Sequence, residues 1–234
     1  MNLRTFGPAC FALASLGCAT LAAAEEPAAA PTATEGEARA YLGFGLIATS
    51  GTQSLPGFPD ADSGGGGIGA NGAGHSRPIT PSLDIAFAGQ VALMGREFDR
   101  GGEETGDVLY EVDGGIRISQ IVMLTLGYST QVTGYDQLDL ATSYTVIPIG
   151  IGILHTHDKG YVMGQLRLGG GRASNDQNND TEGLGYVGLR GVLQHGAANG
   201  VQFMVGLGLD KYELDDSDLT DEFFRLELGL GFGI

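Results

Sequence analysis

Tryptophan is absent, and the only two cysteines, Cys10 and Cys18, lie in the apolar stretch that ends at Ala24. Once that stretch is removed, the chain can form no disulfide, no thiolate metal site and no cysteine nucleophile. Positive charge is scarce as well: 12 Lys and Arg face 28 Asp and Glu, for a net charge of −16. So acidic a chain is poorly suited to nucleic acid. After Ala24 no apolar run reaches the length a spanning helix needs. A membrane protein of this composition would have to be a closed barrel, because only helices and barrels satisfy every backbone group in lipid.

Residues 1–24 read as a secretory signal peptide. Arg4 supplies a short basic start, Phe6 to Ala24 is uncharged, and Ala22-Ala23-Ala24 precedes Glu25, Glu26 and Pro27. Cleavage there removes Arg4 and takes the net charge from −16 to −17. Lipid attachment at Cys18 is the weaker alternative, since Ser15 stands where a lipobox carries an aliphatic residue. Residues 25–39, rich in Ala, Pro, Thr and Glu, read as a flexible linker.

From Ala40 the pattern becomes alternating. Phe224, Leu226, Leu228, Leu230, Phe232 and Ile234 share one face, with Arg225, Glu227, Gly229, Gly231 and Gly233 on the other. Only a strand sorts residues this way. The same period recurs in segments around Leu83–Leu93, Val108–Ile118, Val122–Tyr128, Ile147–Ile153, Val162–Leu168, Val187–Leu193 and Val201–Leu209, which makes eight strands over 83–234. One face is Leu, Ile, Val and Phe throughout, as lipid requires. The other is Gly, Ala and Ser with charges of both signs, as a narrow interior requires.

This places Arg117, Arg167, Arg190 and Arg225 inside, opposite Asp84, Glu111, Asp113, Asp210 and Glu227. A packed network that neutralises buried charge is the expected role; a proton or ion path is the alternative. Short connections (Ser119-Gln120, His155 to Lys159, Gly196 to Asn199) alternate with longer polar ones (Arg96 to Gly106, Thr133 to Ser143, Arg172 to Glu182, Glu213 to Glu222). Short periplasmic turns and long external loops are the rule in outer-membrane barrels, so both ends of the barrel segment are expected on the periplasmic side. Tyr110, Tyr128, Tyr144, Tyr186 and Tyr212 lie toward the long loops and are expected to form an outer aromatic girdle, with Tyr161 and Phe232 at the opposite end.

On these features the chain resembles the small outer-membrane β-barrels of the OmpA/OmpW type. The segments that carry the likeness are Gly115-Ile116-Arg117-Ile118-Ser119-Gln120 leading into Leu124-Thr125-Leu126-Gly127-Tyr128, and the terminal strand. The resemblance covers 83–234. It implies insertion by the barrel-assembly machinery and contact with outer-membrane lipid and lipopolysaccharide, although Ile234 ends the chain where that family usually has an aromatic residue. No peptidoglycan-binding domain follows the barrel, so wall anchoring is not implied. A monomer is expected, with no cofactor and no nucleic-acid partner.

Tyr41 to Ser50 also alternates, and single-chain bacterial barrels have even strand numbers. Either 40–82 is an extra strand with a Gly-rich loop outside an eight-stranded barrel, or a partner strand lies around Gly64 to His75 and the barrel has ten. Eight is the favoured count, because Ile68, Ala70 and Ala73 are poor material for a lipid-facing strand.

Chemistry is sparse. His75-Ser76 is the one adjacent His/Ser pair, with no orienting carboxylate nearby, so a lipid A deacylase-like enzyme is only an alternative reading. His155 and His157, beside Asp158, would make a weak metal site; no metal is assigned. Gly64–Gly69 lacks the strand and helix of a phosphate loop and reads as a flexible loop. The acidic tract Glu213, Asp215, Asp216, Asp218, Asp221 and Glu222 is expected outside, where it could meet divalent cations or lipopolysaccharide. The expected function is a structural or small-solute or lipid-binding role in the outer membrane. A soluble periplasmic binding barrel, with the apolar face turned inward, is the remaining alternative.

Overall fold

The computed structural model describes residues 39–76, 84–99, 103–119, 121–135, 140–157, 159–176, 181–197 and 200–233. The expected leader and nearly all of the linker lie outside these residues. The strands are β1 (Arg39–Ser54), β2 (Ala61–His75), β3 (Asp84–Phe98), β4 (Glu104–Arg117), β5 (Val122–Tyr135), β6 (Leu140–His157), β7 (Gly160–Asn175), β8 (Thr181–Gly196), β9 (Gln202–Leu214) and β10 (Thr220–Gly233). Each pairs antiparallel with its sequence neighbours, and β1 closes on β10, so the fold is a closed up-and-down transmembrane barrel of ten strands.

The favoured count of eight gives way to ten. Residues 40–82 supply β1 and β2, and Gly64–Gly69 is the middle of a strand. An up-and-down antiparallel sheet closes only on an even number of strands. Were β1 and β2 left out, β3 and β10 would have to meet directly, and any open edge would strand backbone groups in lipid. β1 supplies an unbroken ladder to β10, from Tyr41 opposite Gly233 to Ser54 opposite Thr220. β2 completes the ring between β1 and β3. Glycine weakens a strand through entropy, but pairing along both edges holds this one.

The alternation sorts inside from outside as the sequence suggests. Leu46, Ile68, Leu93, Leu126, Ile149, Leu168, Leu189, Phe203 and Leu230 are all exposed on the outer wall. Asp113, Arg167, Arg190, Asp210 and Arg225 are buried within.

Strands run from 13 residues in β9 to 18 in β6, longer than the roughly 9–11 that cross a bilayer. They absorb much of the sequence read as long loops. At the end away from the termini the connections are 55–60, 99–103, 136–139, 176–180 and 215–219; at the terminal end they are 76–83, 118–121, 158–159 and 197–201. The alternation of short and long connections is therefore weaker than the sequence suggested, and the 76–83 connection reverses it.

The tyrosine girdle also needs correction. Tyr110 and Tyr128 do face outward, with ring centroids 6.4 Å apart. Tyr144, Tyr186 and Tyr212 are buried inside, as is Tyr161. Their parity decides it: in β6, β8 and β9 the odd positions hold the lipid-facing Ile, Val, Leu and Phe, so the even-numbered tyrosines point inward.

Candidate functional site

The interior is built in layers along the barrel. At the terminal end Tyr41, Met123, Leu154, Tyr161, Met163 and Met204 form an apolar plug with small alanines between them. At the far end Tyr144, Leu184, Tyr186, Tyr212, Leu214 and Phe223 form an aromatic layer. Charge lies between these layers.

Glu111 is the centre of that charge. Arg167 Nη1 donates to Glu111 Oε1 at 2.7 Å, Arg225 Nη2 lies 3.7 Å from Oε1, and Arg190 Nη1 lies 3.8 Å from Oε2. Asp210 accepts from Arg225 Nη2 and from the Tyr186 hydroxyl, both at 2.5 Å. Asp113 stands 3.7 Å from Arg167 Nε. Glu227 accepts from Asn71 Nδ2 at 2.5 Å and Gln90 Nε2 at 3.1 Å. Seven of the nine residues expected in the network are thus gathered here. Asp84 and Arg117 are not; they sit opposite one another at the terminal ends of β3 and β4.

Glycine makes room for this layer. Arg225 and Arg190 each lie directly across the ladder from Gly208, on opposite sides. Arg167 and Asp210 both face Gly188, Glu227 faces Gly206, and Asp113 faces Gly127. A Cβ on Gly208 would meet the Arg225 guanidinium at 3.0 Å. The interior is rich in glycine because a long charged side chain lies flat over the neighbouring strand.

A second ion pair escaped the sequence reading. Arg96 holds Asp107 through two parallel bonds of 2.8 Å, Nε to Oδ2 and Nη2 to Oδ1, a strong bidentate geometry. Thr133 also donates to Asp107, at 2.5 Å. Periodicity puts Arg96 at the start of the loop to Gly106 and leaves Asp107 between that loop and the strand from Val108; the longer β3 and β4 bring both inside.

Asp221 departs from the rest of the acidic tract expected outside: it is 1 % exposed and lies 4.0 Å from Arg96 Nη1. It shares the inward parity of Phe223 and Arg225. The rest of the acidic tract divides. Glu213 and Glu222 flank Lys211 on the outer wall at 2.9 and 3.1 Å, while Asp215, Asp216 and Asp218 are exposed in the turn.

Between the layers the lumen is filled. The void beside Asn71, Arg190, Arg225 and Glu227 measures about 10 Å³, room for about one water. Above the aromatic layer the barrel opens into a cup of about 710 Å³ at the end away from the termini. Tyr135, Tyr144, Leu214 and Leu219 form its apolar surface; Gln53, Thr142, Glu182 and Asp216 give it a polar edge.

All four histidines lie at the terminal end. His75 Nδ1 is 2.9 Å from the Ser76 carbonyl and Nε2 is 2.8 Å from Thr156 Oγ1, while Ser76 Oγ accepts from the Ile85 amide at 3.2 Å. His155 and His157 share the outer face and His195 joins them across Gly160, with neighbouring ring centroids 6.1 and 5.2 Å apart. Asp158 lies outside the described residues. Among the described residues no group of three or more His, Cys, Asp or Glu is arranged to hold a metal ion.

The fold and its contents define a small transmembrane β-barrel with a side-chain-filled lumen and a cup at one mouth. Ten strands set it apart from the eight-stranded OmpA type, so the likeness read in the sequence is one of barrel class. No protein-family model matches the chain. No curated protein matches it either. Among solved structures it is similar to the outer membrane protease OmpT of Escherichia coli, at 8 % identity and a TM-score of 0.44, over 86 % of this chain and 98 % of that one. It is also similar to an outer membrane channel of Pseudomonas putida F1, at 10 % identity and a TM-score of 0.45, over 88 % and 100 %. A third is the translocator domain of the autotransporter NalP of Neisseria meningitidis, at 12 % and 0.41, over 98 % and 99 %.

Proposed function

We propose that the chain is an outer-membrane barrel with a structural or small-ligand-binding role, and that its cup is the binding end. One observation carries this reading: the lumen is closed by the ion-pair layer and the apolar plug, while the opposite mouth holds a cup of about 710 Å³, within the size range of ligand pockets. The leader directs export, the termini lie on the periplasmic side, and the barrel-assembly machinery inserts the chain as a monomer. The cup then faces outward among lipopolysaccharide. Of the acidic tract, Asp215, Asp216 and Asp218 remain free to meet headgroups through divalent cations; Asp221 does not.

Cell fractionation of the full-length chain, followed by gels of boiled and unboiled samples, tests the location. Outer-membrane recovery with a heat-dependent mobility shift is the expected result. Recovery as a soluble periplasmic protein would overturn it.

The enzyme reading keeps one supporting observation, the 2.8 Å contact between His75 Nε2 and Thr156 Oγ1. A His75→Ala variant assayed for lipid A acylation tests it, and unchanged acylation is the expected result.

A further inference from the structure

From the geometry and charge of the cup we infer its ligand class: a small organic cation with an apolar body, such as an alkyl or cycloalkyl ammonium. The inference rests on the reading of the cup as a binding end. Three features carry it.

The cup has an apolar side and a polar side. Tyr144 is 3 % exposed and Leu214 7 %, so its floor is firm and apolar, and Leu55 and Leu219 close the sides. Tyr144 is backed by Tyr212, with ring centroids 4.9 Å apart. Tyr135, half-buried in the wall of the cup, offers the more accessible ring, and aromatic faces attract cations through the ring quadrupole.

The polar edge is fixed and carries one sign of charge. Glu182 accepts from the backbone amides of Asp216 at 3.2 Å and Ser217 at 3.0 Å, and from Ser217 Oγ at 3.2 Å. These bonds pin the 215–217 turn against the cup and hold the Glu182 carboxylate in place. Asp216 stands beside it. Beneath, Gln53 Nε2 bridges the Tyr135 hydroxyl at 3.2 Å and Asp221 Oδ2 at 3.3 Å, and Asp221 Oδ1 accepts no hydrogen bond. Among the described residues lining the cup, none is Lys, Arg or His.

The surrounding rim repeats the sign. Asp60, Asp99, Glu103, Asp176, Asp215, Asp216 and Asp218 occupy the described loop residues at this end, and Arg100, the basic residue that the sequence places in these connections, lies outside the described residues. A field of one sign focused into a low-dielectric cleft concentrates the opposite charge. An anion would be repelled. A bare hydrated metal ion would leave the apolar half of the cup unused. An ammonium group at Glu182 and Asp216, with its hydrocarbon on Leu55, Tyr135 and Leu219, uses both halves.

The test takes the full barrel folded in detergent, with three probes of one shape: cyclohexylmethylamine as its cation, cyclohexylmethanol and cyclohexanecarboxylate. Calorimetry gives affinity, and tyrosine emission, readable in a chain with no Trp, reports the cup. The cation should bind about tenfold or more tighter than the alcohol at low salt, with the carboxylate weakest. High salt should narrow the gap. Asp216→Asn and Glu182→Gln should each weaken the cation several-fold and leave the alcohol unchanged, whereas Glu104→Gln, on the outer wall, should change nothing. Asp216→Asn is the cleaner variant, since the Asp216 contact that holds the turn is its backbone amide. Equal binding of all three probes would keep the cup as a binding end and overturn its charge selectivity. Cation binding indifferent to salt and to both cup variants would place the site elsewhere and overturn the inference. No binding of any probe to a barrel that keeps its heat shift would overturn both the inference and the reading beneath it.

Discussion

Glu111 is surrounded by three guanidinium groups and buried away from water. Its worth lies less in the attraction it contributes than in what its loss would leave, three guanidinium groups in a narrow lumen with Asp210 and Asp113 left in ion-pair contact to balance them. Removing one member of a buried ion network typically costs about 3–5 kcal/mol. Glu111→Gln should lower the temperature at which the folded band converts to the unfolded one on gels, and by more than Glu104→Gln on the outer wall. Gly208 makes the complementary point through space. It lies under Arg225 and across from Arg190, and a side chain there meets the guanidinium at 3.0 Å. Overpacking of this kind costs about 1–3 kcal/mol. Gly208→Val should therefore destabilise the barrel in a denaturant titration, while Gly106→Val, at an exposed strand position where a side chain meets nothing, should be far milder.

At the scale of strands, closure by β1 has a direct consequence. Leu46 and Leu228 are partners across the β1–β10 seam and both point outward. Antiparallel partners stand about 4.5–5.5 Å apart at Cα, within the range a disulfide spans. No cysteine lies among the described residues, so Leu46→Cys with Leu228→Cys should cross-link on oxidation and change mobility on a non-reducing gel. An eight-stranded barrel closing β3 on β10 would leave this pair unlinked. Depth along a strand gives a second test. Ile68 is the one large side chain on the outer face of the glycine-rich part of β2, and it is 57 % exposed. Ile68→Arg should cost about 2–4 kcal/mol if that face lies at the bilayer midplane, measured as a shift in the folding midpoint in lipid vesicles. The same change at Asp60, in the turn beyond β1, should cost little.

For the whole molecule, the stacked interior predicts transport behaviour. An apolar plug, an ion-pair layer and an aromatic layer succeed one another, and the void between them measures about 10 Å³. Planar bilayers containing the purified barrel should show no steady conductance of porin type, and vesicles should not swell in sugar solutions. A stable open level would mean that the layers move aside. The two ends also differ in charge. Acids crowd the described loops around the cup, while the histidines and Lys159 occupy the terminal end.

The sequence by itself determined the class of fold, because a period of two with one continuous apolar face and one glycine-rich face has few other stable solutions. It determined as well which side chains point inward, so Glu111, Asp113, Arg167, Arg190, Asp210, Arg225 and Glu227 were legible as an interior set. Parity also held the inward places of Tyr144, Tyr186, Tyr212 and Asp221, but only once the strands were known to extend that far. What periodicity could not supply was where each strand stops and which strand closes the ring. Strand length depends on cross-strand hydrogen bonding beyond the bilayer, which polar residues such as those around Arg96 and Asp107 satisfy as well as apolar ones do. Closure depends on pairing every backbone group in lipid, a requirement of the whole sheet, and it recruits glycine-rich β2 against its local preference. The cup belongs wholly to the tertiary structure: Gln53, Tyr144, Glu182 and Asp216 come from four separate segments, and only the closed barrel brings them to one mouth.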